Sequence, residues 1–146
     1  MGTRAIAVAA VFVAGVVAGC SSGPPEAKPQ PGTLAAGTAQ VTINGEDAGT
    51  TEAVQCVPEG WTTTISTGND TSGVTAVVSN RAGLVAESVS INDLGGFTGS
   101  YNAGLGGTAK VTMTGPTYDI SGTADGFQTD QPSFRTGGAF AIKVSC

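Results

Sequence analysis

The 146-residue chain carries 6 Lys and Arg against 11 Asp and Glu, a net charge of −5, and contains no histidine. The acidic balance and the absence of any Lys/Arg cluster argue against binding to phosphate backbones, so no nucleic-acid partner is expected. Without histidine, Ser-His-Asp triads, Cys-His pairs and imidazole metal ligands are excluded, and no catalytic residue, metal or cofactor is expected.

Arg4 supplies a short positive start, and Ala5 to Gly19 form a 15-residue uncharged run of Ala, Val, Ile, Phe and Gly. A membrane-spanning helix needs about 20 apolar residues, so the run reads as the apolar region of a signal peptide. It ends in Val17-Ala18-Gly19-Cys20, small residues followed directly by Cys, which is the pattern of a bacterial lipobox. An ordinary secretory leader is the alternative, but it does not require a Cys at that depth. Residues 1–19 are therefore expected to be the leader and Cys20 the lipidation site. Two or three acyl chains on Cys20, each buried CH₂ contributing about 0.8 kcal/mol, make the membrane the first expected partner. The expected location is the cell membrane or envelope, on its extracytoplasmic face.

Residues 20–39 read as a disordered tether. Pro24, Pro25, Pro29 and Pro31 are separated by small and polar residues, a composition that cannot pack a core. A Pro-rich segment extends by about 3.1 Å per residue, so the tether reaches roughly 60 Å at most.

From residue 40 the period changes to two, and residues 40–146 read as one β domain. Val41-Thr42-Ile43-Asn44-Gly45-Glu46 predicts a strand entering an Asn-Gly hairpin turn. Val54 and Cys56 share one strand face, Trp61, Thr63 and Ile65 another, and Val74, Ala76 and Val78 a third. Val85, Val89 and Ile91 align with Glu87 as the exception. Phe97 and Tyr101 follow, then Val111 and Met113, then Tyr118 and Ile120 after a Gly115-Pro116 turn. Phe140, Ile142, Val144 and Cys146 alternate with Ala141, Lys143 and Ser145 in the last strand. Gly122 and Gly126 bracket the end of the preceding strand, and residues 127–138, which have no clear period, are expected to form a long loop. No helical apolar stripe occurs; Ala82 to Ser90 is the nearest candidate and its Val and Ser favour a strand. The expected fold is all-β: an antiparallel sheet or sandwich of about eight or nine short strands, with one disulfide.

The disulfide follows from cysteine arithmetic. Setting Cys20 aside leaves Cys56 and Cys146, which in an oxidising compartment are expected to bond. Two separate buried thiols remain the alternative. A bridge would bring the first hairpin and the last strand together. The acidic residues sit mostly in turns, as in Glu46-Asp47 and Asp125-Gly126, and read as solvated rather than as a catalytic pair. Asp125 to Asp130 lacks the oxygen spacing of a calcium loop and reads as a polar loop. Gly104-Leu105-Gly106-Gly107 opens no helix and carries no Lys, so it does not read as a phosphate loop. Trp61, Phe97, Tyr101, Phe127 and Phe134 could line a groove, but core packing is the simpler role.

Four stretches in order give the chain a recognisable character: Val41 to Asp47, Val54-Gln55-Cys56, Tyr118 to Gly126 and Phe140 to Cys146. Together with the lipobox they resemble the mycobacterial LpqH-type lipoprotein antigen family. The resemblance implies an acylated, surface-exposed envelope lipoprotein without catalytic residues, sensed by host innate receptors through its lipid. It implies Cys20 as the lipidation site and Cys56–Cys146 as the domain disulfide. Some members are glycosylated on tether threonines, of which this chain has Thr33 and Thr38. An alternative reading is a carrier for a lipid or small apolar ligand held between sheets.

Overall fold

A computed structural model describes Lys28 and residues 30–146. The leader, Cys20 and the first part of the tether lie outside the described residues. Within them the chain forms ten strands and no helix: β1 (Ala39–Ile43), β2 (Glu46–Thr51), β3 (Val54–Glu59), β4 (Thr62–Gly68), β5 (Gly73–Ser79), β6 (Val85–Leu94), β7 (Phe97–Asn102), β8 (Thr108–Thr114), β9 (Thr117–Gln128) and β10 (Arg135–Ser145). All pairings are antiparallel, in the order β2-β1-β10-β9-β7-β6-β5-β4-β3. One edge of β9 is shared: Thr117–Thr123 pairs with β8 and Asp125–Gln128 with β7.

Local chemistry explains the turns. Asn44 and Gly45 have φ of 53° and 81°, the doubly left-handed geometry of a type I′ hairpin that Asn-Gly favours. The Asn44 carboxamide Oδ1 also accepts a 2.9 Å hydrogen bond from the Ala139 N–H, tying this turn to β10. Gly60 and Trp61 form the two-residue turn between Glu59 and Thr62, with Gly60 at φ 59°.

The sheet curls over a single core. Ala39, Val41 and Ile43 of β1 and Phe140, Ile142 and Val144 of β10 pack with Ile65, Val74, Ala76, Val89 and Ile91 from the β4–β6 side. The Phe97 ring, fully buried, lies over Gly99 and Gly138, where an added Cβ would approach it within 2.6 and 2.7 Å. Curling brings the end of β2 to the start of β3, the two strands at the free edges of the sheet. Only Glu52 and Ala53 link them, and Gly68 donates its N–H to the Ala53 carbonyl at 3.2 Å.

Several sequence expectations change. Nine strands fall on segments that alternate; the tenth, β2, reads Glu-Asp-Ala-Gly-Thr-Thr and has no apolar face to announce it. The expected loop at 127–138 shrinks to 129–134, because β9 runs to Gln128 and β10 starts at Arg135. Gly122 and Gly126 lie inside β9 instead of closing it. The carbonyls of Thr108 and Thr98 occupy the space where their side chains would stand, so close strand approach, not chain reversal, requires them. Asp125 to Gln128, read as polar loop, is therefore strand. The Glu87 exception marks a bulge: Ser88 pairs with Val77 and Ala86 with Val78, leaving Glu87 as the extra residue. Parity flips there, so Ala86 is buried and Val85 exposed. Trp61 belongs to a turn and is 64% exposed, not on the Ile65 face. Cys146 follows the end of β10 and is exposed, while its neighbour Ser145 is fully buried.

The fold also begins before residue 40. Ala39 opens β1, and residues 30–38 are hydrogen-bonded to the domain. The Leu34 N–H donates to Thr117 Oγ1 (3.1 Å), the Gly37 N–H to the Ser145 carbonyl and the Ser145 N–H to the Thr38 carbonyl (both 2.9 Å). A segment poor in apolar residues is thus held through its backbone, which composition does not report.

Candidate functional site

The cysteines come together as expected. Cys56 in β3 and Cys146 after β10 form a disulfide with Cα atoms 6.0 Å apart, across a sequence separation of 90. It fastens β3, the last strand of the sheet, to the end of β10, two strands from the opposite edge. The bridge therefore holds the curl closed.

The Glu52–Ala53 link has a pocket on each side. The larger is a half-open trough of about 610 Å³ on the outer face of β3–β6. Sheet register builds its floor: Gln55, Ser66, Thr75 and Ser90 are successive cross-strand partners and project from the same face. Asn92 and Asn69 add carboxamides, and Glu52 and Asp70 add carboxylates. Asn69 is also structural, since its Oδ1 accepts hydrogen bonds from the N–H groups of Thr71 and Ser72 and from Thr71 Oγ1. No cation lines the trough. Its chemistry suits neutral polar or positively charged groups and disfavours phosphates and carboxylates. The smaller pocket, about 310 Å³, mixes Val41, Ala48 and Leu94 with Thr50, Thr51 and Thr67. Among the described hydrogen bonds, no Ser or Thr hydroxyl of the trough donates to Glu52 or Asp70, so the trough offers polar contacts without a hydrogen-bonded nucleophile and base.

Sequence reasoning did not identify the trough. Its residues come from four separate segments and its polar side chains are mostly ordinary Ser, Thr, Asn and Gln, a signal with no motif. Conversely, the aromatic residues do not assemble. Phe97 is core, Tyr101 and Phe127 are half-buried, and Trp61 and Phe134 are exposed in turns at opposite ends of the sheet. Gly104–Gly107 is part of the β7–β8 link and presents Leu105 to solvent. Among the described residues, no three of Cys, Asp and Glu group as metal ligands.

Residues 32–146 match the family model of the Mycobacterium 19 kDa lipoprotein antigen. The chain belongs to that family. The match starts inside the hydrogen-bonded 30–38 segment and ends on Cys146, so it spans the whole sheet and both bridged cysteines. Over 147 residues the chain is 40% identical to a putative lipoprotein of Mycobacterium indicus pranii, covering 100% of each. Lipoprotein LpqH of Mycobacterium tuberculosis is 33% identical over 156 residues, covering 99% of this chain and 96% of the relative. Lipoprotein LpqH of Mycobacterium avium is also 33% identical, over 147 residues, covering 92% and 91%. This is a lipoprotein antigen by family, and the cysteine cross-link is a property of its fold.

Proposed function

We propose that this family member is an acylated, surface-exposed envelope lipoprotein that acts by presentation and contact, not by catalysis. The observation that carries the reading is Val17-Ala18-Gly19-Cys20 closing a 15-residue apolar run in a chain of a lipoprotein antigen family. Acylation at Cys20 anchors the domain on the extracytoplasmic face, and the lipid is the group through which host innate receptors engage it. The non-enzymatic part is supported by the absence of histidine and by the polar trough without a nucleophile and base pair. The carrier reading requires an apolar cavity. The larger pocket is polar instead, and side chains of Ile, Val and Phe fill the space between β1–β10 and β4–β6.

Cys20→Ser is the direct test. Expressed in a mycobacterium, the parent protein should partition with membranes and take up labelled palmitate. The variant should do neither and appear in the soluble exported fraction. Undiminished membrane association of the variant would refute the anchor.

A further inference from the structure

In a continuous antiparallel sheet, strand direction decides the end at which each turn sits. Segment 30–38, the Gly60-Trp61 turn, the β5–β6 link, the Gly115-Pro116 turn and Cys146 share one end, here called the tether end. The turns at 44–45, 68–73, 95–96 and 129–134 lie at the other, the far end. The two ends differ in chemistry. Six large apolar residues are exposed among those described, and four of them flank turns at the tether end: Val57, Trp61, Val85 and Met113. Val57 and the half-buried Val77 lie either side of Thr64 in one outward row, with Val85 in the adjacent row. Charge divides as well. The far end holds Glu46, Asp47, Asp70, Asp93, Asp125 and Asp130 with Arg135 as its cation, whereas Lys28, Arg81, Lys110 and Lys143 lie toward the tether end together with Glu59, Glu87 and Asp119, the last paired with Lys143 at 3.3 Å.

We propose that the tether end is a membrane-docking face, with Trp61 in the lipid interface and the acidic far end turned outward. The proposal rests on the reading of Cys20 as acylated. The length of chain outside the described structure argues for a lipid surface as the occupant. Cys20 precedes Gln30 by ten residues, a span of roughly 36 Å at full extension. The anchor thus enters at the end that carries the Trp, and holds that end near the bilayer. Trp is the side chain most suited to the boundary between headgroups and acyl chains, with an apolar ring and a polar N–H. The tether end is close to neutral and meets little repulsion from an anionic surface, while the carboxylates of the far end are kept from it, beyond the screening length of about 8 Å. The docked orientation leaves the trough, whose Asn69, Asp70 and Asn92 lie at its far-end side, facing away from the membrane.

Trp61 is the single Trp of the chain, so its emission reports on one site. The acylated protein is reconstituted on phosphatidylcholine–phosphatidylglycerol vesicles with and without brominated acyl chains, and flotation is scored on the same sample. A companion variant, Trp61→Phe with Phe134→Trp, moves the probe to the far end. The expected result is flotation of both proteins, blue-shifted Trp61 emission, and bromine quenching several-fold stronger at 61 than at 134. Flotation with equal or no quenching at the two positions overturns the docking and leaves the acyl anchor standing. Failure to float overturns both. Emission already blue-shifted in soluble Cys20→Ser protein, with dimers in solution, assigns the patch to a second copy and also overturns the proposal.

Discussion

Single residues carry much of this fold by what they leave out. Gly138 and Gly99 give their side-chain space to the Phe97 ring, and that ring is fully buried. Gly138→Ala would place a methyl group 2.7 Å from Phe97 Cζ, in a packed core that cannot yield cheaply. The expected cost is about 1–3 kcal/mol, seen as a lower midpoint in urea unfolding. Its neighbour is the control: a Cβ at Gly137 meets only the Ala124 carbonyl at 3.8 Å. Gly137→Ala should be neutral or slightly stabilising, by up to about 1 kcal/mol, because it restricts the unfolded chain. Similar losses in both variants would mean that the Phe97 contact is not what Gly138 protects.

At the scale of elements, turns and edges do the specifying. Asn44 performs two tasks in the β1–β2 hairpin, adopting a φ of 53° and accepting the Ala139 N–H. Asn44→Gly keeps the backbone geometry and loses the hydrogen bond, whereas Asn44→Ala loses both. Asn44→Ala is therefore expected to lower stability by about 1–2 kcal/mol, and Asn44→Gly by less, as thermal unfolding would measure. An equal or larger loss for Asn44→Gly would show that the left-handed geometry is not limiting. The edges are guarded by other means. Glu59 and Thr62 close a two-residue turn, so Pro58 directs its donor-less nitrogen to the free side of β3. On β2, Ala48 is an extra residue between the partners of Val41 and Thr42, and Glu46 and Asp47 add charge. These devices keep both free edges from recruiting another strand.

For the whole molecule, the disulfide is the closure. Cys56–Cys146 spans 90 positions of sequence, and a loop of that size removes about 4–5 kcal/mol of denatured-state chain entropy in the simplest model. The total stability of a domain is typically about 5–15 kcal/mol, so the bridge is a large share. Replacing both cysteines by Ala is expected to lower the urea midpoint markedly and to speed proteolysis of the β3 end. Unchanged protease resistance would show that the core alone keeps the sheet curled. The same closure sets the smaller pocket, which lies where Ala48 to Thr51 of β2 meet Thr67, Gly68 and Asn69.

The sequence by itself determined the class of fold, most strand positions, the Asn-Gly hairpin and the pairing of two cysteines. These rest on local signals: period-two alternation, turn chemistry and a count. It also determined the leader and lipobox reading, which depends on no folded contact. Tertiary structure alone decided the rest. β2 has no alternation because it is a polar edge, and the 127–138 region hides two strand ends because its glycines serve neighbouring strands and Phe97. Parity at Val85 depends on a bulge that is visible only against β5. Segment 30–38 is fixed by backbone hydrogen bonds that leave no mark on composition. The trough and the exposed tether end are juxtapositions of distant, common residues. Sequence records which side chains are present along a line, whereas curling the sheet decides which of them become neighbours.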